Sequence, residues 1–328
     1  MELQQDSRLI VSASPHIRSQ ETVSSIMWTV VAALVPAALF SIWHFGAAAA
    51  ATYLFCIAGS VGCEYLIQKF RGIEITVDDG SAFLTGMLLA MSIPPGLPWF
   101  MCIFGSAMAI GVAKHTMGGL GNNVFNPAHI GRAALLASWP VAMTTWTPVH
   151  SALDGVTSAT PLGILKLQGF AQMTATFGDT GSMLQAMLLG LRNGSTGETS
   201  TILLVLGGLF LIYRGIINWQ VPAAMIGTVG ILAFFISGQG VVGALFHMMA
   251  GGLVIGAFFM ATDMVTIPIT LKGQVIFGIG AGLIVMLIRT VGGYPEGVCY
   301  SILLMNAVTP IIDRFVQPKR FGLGGERA

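Results

Sequence analysis

FGSAMAIGVAKHTMGGLGNNV (residues 104–124) and FGIGAGLIVMLIRTVGGYPEGV (residues 277–298) are the two stretches that decide the fold. With one residue inserted they align: Phe104/Gly105 with Phe277/Gly278, Thr116 with Thr290, and Gly118/Gly119 with Gly292/Gly293. Each stretch ends one apolar run and leads into the last run of its half. The run over 81–94, which closes in SIPPGLP, and the run over 243–262, which passes Asp263 into TIPIT, correspond as well. An odd number of spans per copy inserts the second copy upside down. That is the inverted-repeat plan of many transporters, with a functional site near the repeat interface.

Composition sets the solvent. Of the 328 residues, 54% are hydrophobic and only 9% charged, against about 25% charged in an average soluble domain. The mean hydropathy of +0.79 agrees. The sequence predicts an all-α polytopic membrane protein. A net charge of +1 gives no reason to expect nucleic acid as a partner. The apolar run that begins near Ser24 has no small-residue cleavage pattern and reads as a first transmembrane helix rather than a leader. Cys56, Cys63, Cys102 and Cys299 form no CxxC pair, so buried small hydrophobes are expected and no metal site.

A spanning helix needs about 20 apolar residues. Ten runs qualify, at 24–43, 47–68, 81–94, 98–114, 128–143, 199–213, 220–237, 243–262, 274–290 and 297–313. The expected fold is therefore ten transmembrane helices as two inverted five-helix repeats. The expected organisation is a cytoplasmic N-terminal segment (1–23), a first repeat (24–143), an outside loop (144–198), a second repeat (199–313) and a cytoplasmic tail (314–328). With the N-terminus in the cytoplasm, twelve of the fifteen basic residues fall on that side, leaving Lys166, Arg192 and Arg289 outside. The positive-inside rule favours this orientation, with both termini cytoplasmic. Helices that stop early, as at SIPPGLP, leave backbone groups to be covered by protein.

Three polar stretches carry chemistry. DGVTSATPLG (154–163) lies in the outside loop, where Thr160 before Pro161 can cap a helix or serve as an attachment point. RNGSTGETS (192–200) precedes the sixth run. Its glycines, hydroxyls and Arg192 suit an anion at a helix start, and Ser195 with Glu198 has capping-box spacing. GGLGNNVFNPAHIGRAALL (118–136) brings Asn122, Asn123 and Asn126 to the start of the fifth run, as caps or as a polar cavity lining. Asp78, Asp79 and Asp263 near broken helices read as hydrated caps or as an ion or proton site. Lys114 and His115 are expected to snorkel to the interface.

Taken together, DGVTSATPLG, NGSTGETS, FNPAHIGRAAL and DDGSAFLTGMLLAMSIPP resemble, in order along the chain, the family of the D subunit of the Rnf electron-transport complex (RnfD) and the homologous NqrB. The resemblance implies a flavoprotein with FMN joined through its phosphate to the last threonine of D-x-x-[ST]-G-A-[ST]. Here that acceptor is Thr160, and the rest of the motif is Asp154, Thr157, Ser158 and Ala159, with Ser158 where the general motif has glycine. Arg192, Gly194, Ser195, Thr196, Gly197 and Thr199 are the candidates for contacts to the FMN phosphate or ring. The resemblance also implies a noncovalent riboflavin, a periplasmic FAD:protein FMN transferase, and Rnf subunits A, B, C, E and G as partners in the bacterial inner membrane. The implied activity couples ferredoxin and NAD oxidoreduction to Na⁺ or H⁺ movement, with this chain an electron relay that is not catalytic alone. A small-solute channel or transporter of the same plan is the alternative.

Overall fold

The computed structural model describes residues 21–146 and 160–318, which form helices and turns. The first group of helices is α1 (Val23–Phe45), α2 (Ala47–Arg71), α3 (Ser81–Ser92), α4 (Trp99–Ala107, continued as a π-helix over Met108–His115), α5 (Pro127–Ser138) and α6 (Pro140–Thr144). Two further helices follow, α7 (Pro161–Phe177, kinked at Gly169) and α8 (Thr180–Leu189). The second group is α9 (Thr201–Tyr213), α10 (Gln220–Ile236), α11 (Gly240–Met249), α12 (Leu253–Ile255, continued as a π-helix over Gly256–Met260), α13 (Leu271–Thr290) and α14 (Val298–Phe315).

The starts of these helices follow from short polar side chains. Thr22, Asn126, Asp179, Ser200 and Thr270 each accept the amide N–H three residues on, which satisfies one of the orphan donors of a helix start. Apolar helices do the rest. Among the described residues four helices are long and apolar enough to cross a bilayer alone, and α11 with α12 makes a fifth as a bent pair. Four more apolar helices are shorter. Large apolar side chains such as Trp43, Phe70, Phe235 and Phe315 are exposed around the body, a surface that water does not tolerate over such an area. The chain is a multi-pass membrane protein.

The same order of neighbours recurs in the two groups. In the first, α2 packs against α3 and α4; in the second, α10 packs against α11 and α13. The matched stretches begin in α4 and α13. Across the groups α1 packs on α9 and α5 on α14. Small residues set the closest approaches. A Cβ on Gly278 would stand 2.9 Å from Val221 O, and one on Gly282 2.8 Å from Met225 O. The four-residue spacing of those glycines lets α13 lie backbone to backbone on α10.

Lys114 departs from expectation. It does not reach the interface but is buried, with Nζ 2.6 Å from both Glu64 Oε1 and Ser81 Oγ. The π-helical turn that carries it points it inward, where a buried carboxylate needs a partner. Asp79 acts as a cap, its Oδ1 accepting from Ser81 N at 2.7 Å.

Candidate functional site

Two apolar helices stop short of a full span. At about 1.5 Å per residue, α3 covers little more than half of a hydrocarbon core about 30 Å thick. The other, α11, ends at Met249, and the chain bends by 64° before α12 resumes. Gly251 makes the bend with φ +68°, a conformation that L side chains resist. Each end leaves carbonyls without intrahelical partners, and in a bilayer they must be met by protein.

The connection 190–200 meets both. Thr196 N donates to Ile93 O at 3.2 Å and its hydroxyl donates to Ala90 O, closing α3. Arg192 turns the other way: Nη2 donates to Met249 O at 2.8 Å, Nε to Glu198 O at 3.0 Å, and Nη1 contacts Met187 Sδ. Arg289, in the last turn of α13, donates to His247 O at 2.6 Å and to Ala250 O at 2.7 Å. Two guanidinium groups therefore stand at the negative end of the α11 dipole. At the positive end of α12, Glu296 accepts the Gly252 N–H at 2.5 Å and pairs with Arg132 from α5.

The carboxylates differ in their surroundings. Burial pushes the Glu198 carboxyl up to about 7, and nearby Glu296 adds to the shift; Ser195 Oγ lies 2.9 Å from Glu198 Oε1. Burial also opposes ionisation of Glu296, but Arg132 and the Gly252 N–H outweigh it and hold this carboxyl below its usual range.

The start of α7 lies over this break. Thr160 caps α7, its hydroxyl accepting Gly163 N at 3.1 Å, with Pro161 as the first helical residue. A Cβ on Gly251 would meet Leu162 Cδ1 at 2.8 Å, Arg289 Nη2 at 3.2 Å and Glu296 Oε1 at 3.4 Å. One turn further, Lys166 Nζ donates to Tyr294 O at 2.8 Å and also to Gly292 O, just beyond the end of α13. An apolar cluster of Leu162, Met173, Met183, Met187, Phe246 and Met249 fastens α7 and α8 to α11. The three basic residues that the charge count isolates from the other twelve all converge here.

The other candidate residues fall as follows. Asp154, Thr157, Ser158 and Ala159 lie outside the described residues. Gly194, Ser195, Thr196, Gly197 and Thr199 turn inward toward Glu198 and the end of α3; a Cβ on Gly197 would stand 2.6 Å from Met91 O. Thr199 Oγ1 is buried without a partner among the described residues. Arg132, Arg289, Glu296 and Lys166 are site residues that motif reading alone misses. Their signal is a charge inside or beside an apolar run.

A second feature opens between the two groups of helices. A cavity with about 830 Å³ of non-atom space, partly open to solvent, is lined by Ser81, Lys114, Asn123, Asn126, Thr262 and Asp263 among apolar side chains. Asn126 Nδ2 donates to Met260 O at 3.2 Å, tying α5 to the α12 segment.

Known proteins match along the whole of this architecture. The chain is 62% identical over 316 residues to the D subunit of the proton-translocating ferredoxin:NAD(+) oxidoreductase complex of Clostridium ljungdahlii, covering 95% of this chain and 96% of the relative. It is 46% identical to the D subunit of the Na(+)-translocating ferredoxin:NAD(+) oxidoreductase complex of Acetobacterium woodii, over 96% of each. It is 40% identical to the D subunit of the ion-translocating oxidoreductase complex of Stutzerimonas stutzeri, over 92% of this chain and 93% of that one. The sequence pattern of the NQR2, RnfD, RnfE family matches residues 10–322. The chain belongs to the NQR2, RnfD, RnfE family.

Proposed function

We propose that this chain is the flavin-bearing D subunit of an ion-translocating ferredoxin:NAD⁺ oxidoreductase, with FMN joined through its phosphate to Thr160. Family membership supports the subunit role. The placement of Thr160 carries the flavin assignment: its hydroxyl stands at the start of the first segment of α7, before the kink at Gly169, and that segment is docked on a cation-rich break. A helix N-terminus favours an anion, and Lys166 and Leu162 fix that start in place. The residues present fit a phosphate-linked group. FMN held in this way accepts two electrons and passes them on singly, which suits a relay between one-electron and two-electron carriers.

The cavity on the other side takes the noncovalent riboflavin. Its apolar walls accept a flat ring, while Asn123, Asn126 and Lys114 offer donors to ring oxygens and nitrogens. The ten apolar runs of the sequence form two inverted five-helix repeats (24–143 and 199–313) in the bacterial inner membrane, with the flavin-bearing loop (144–198) periplasmic and both termini cytoplasmic. Subunits A, B, C, E and G supply the remaining carriers, and a periplasmic FAD:protein FMN transferase loads Thr160. Electron flow through the complex drives Na⁺ or H⁺ across the membrane, at about 2.3 kcal/mol per charge per 100 mV. Co-expression with the transferase followed by a denaturing gel tests the assignment. A fluorescent wild-type band and a dark Thr160→Ala band are expected; a dark wild-type band beside a flavinylated control protein overturns it.

A further inference from the structure

Five charged side chains gather beneath the start of α7: Arg132, Arg192 and Arg289 against Glu198 and Glu296. With both carboxylates ionised, the three guanidinium groups still outnumber them by one, and Lys166 stands one turn along α7. Arg132 is matched by Glu296. Arg192 bonds the backbone carbonyls of Glu198 and Met249 and contacts Met187 Sδ, with no ion pair among the described residues. Arg289 is the one of the three that bonds only backbone carbonyls, those of His247 and Ala250. It forms no ion pair among the described residues. It is 6% exposed, and its Nε has no hydrogen-bond partner among the described residues.

Carbonyl dipoles offset part of the cost of burying a guanidinium; a counter-charge completes it. The first turn of α7 packs beside Arg289. Leu162 Cδ1 and Arg289 Nη2 both lie about 3 Å from the same point above Gly251, and Thr160 is two residues before Leu162. A phosphodiester on the Thr160 hydroxyl carries one negative charge and two free oxygens. It would also stand at the N-terminus of α7, whose first amides have no intrahelical partner.

We infer that Arg289 and the first turn of α7 together seat the phosphodiester at Thr160, so that flavin attachment neutralises the surplus cation and locks α7 onto the broken helix. This rests on the assignment of FMN to Thr160. Arg289 is a positioning residue here: it holds the anchor, not the ring. The seat also gives the covalent bond a structural consequence, since a chain without flavin keeps under α7 a buried guanidinium that has no ion pair among the described residues.

The test is a cycle between flavin loading and Arg289. The whole complex is purified in detergent with and without transferase co-expression, carrying Arg289, Arg289→Gln or Arg289→Lys. The heat-precipitation midpoint of this chain is read from its gel band. Loading is expected to raise the wild-type midpoint by about 2–4 °C. The gain should fall by at least half in Arg289→Gln, and should shrink in Arg289→Lys, which keeps the charge but cannot serve two carbonyls and a phosphate at once. Because Arg289 also caps α11, Arg289→Gln can fail to insert; Arg289→Lys then decides. A gain equal to wild type in whichever variant is recovered overturns the seat while leaving the flavin at Thr160 intact. A wild-type band without covalent flavin overturns both.

Discussion

Glu296 accepts the Gly252 amide at 2.5 Å across 44 residues of sequence, and Arg132 holds the other carboxylate oxygen. One side chain thus closes a broken helix and joins it to a helix of the other group. Removing one partner strands the other in a buried site, at a cost of about 3–5 kcal/mol. Glu296→Ala is therefore expected to lower the unfolding midpoint strongly. The double variant Arg132→Leu/Glu296→Leu should lose less than either single change. A double variant as damaged as the sum of the singles would show that the pair does not act as a unit.

Glu198 predicts a pH dependence. Its carboxyl is raised to about 7 by burial and by Glu296, so the folded chain holds this proton more tightly than the unfolded one. The stability it contributes is full below the unfolded value near 4.5 and is lost as pH rises through 7. Glu198→Gln cannot ionise, so its stability should fall less than that of the wild type between pH 5 and pH 8. Parallel pH profiles for the two proteins would exclude this role.

Gly251 separates backbone strain from crowding. Gly251 has φ +68° and crowded surroundings, whereas Gly46 has φ +69° and nothing within 4 Å of where a Cβ would stand. An alanine at either site meets strain of about 1–3 kcal/mol. Only Gly251→Ala also displaces Leu162 and Arg289, so its loss should exceed that of Gly46→Ala, and it should lower flavin loading at Thr160 as well. Equal losses and equal loading would mean that α7 is not docked through this point.

The cavity offers a separate handle. Thr85 lines it on the α3 side. Thr85→Trp fills the space without touching the α7 site. The noncovalent flavin released by denaturing the purified complex should fall to a small fraction, while covalent flavin fluorescence stays at the wild-type level. Unchanged release of noncovalent flavin would place it elsewhere.

Much of the architecture is legible in apolar runs alone. The runs expected at 24–43, 220–237 and 274–290 are the helices Val23–Phe45, Gln220–Ile236 and Leu271–Thr290, because a helix that faces lipid must be apolar along its length. The early stop of α3 is legible from Pro94 and Pro95. What closes the stops is not, because Arg192, Arg289 and Glu296 reach their partners across 39 to 57 residues, and no local pattern records that pairing. Lys114 is misread for a similar reason: its partner Glu64 lies 50 residues away. Thr160 is legible as a helix cap from the proline after it, whereas its neighbourhood depends on three separate connections.

The most direct measurement is mass spectrometry of peptides from the purified chain, co-expressed with the transferase, with fragmentation to locate any added group. An FMN phosphoester is expected on Thr160, with Thr157 and Ser158 unmodified. A chain whose Thr160 peptide is recovered only in unmodified form, beside a flavinylated control protein from the same cells, would contradict it.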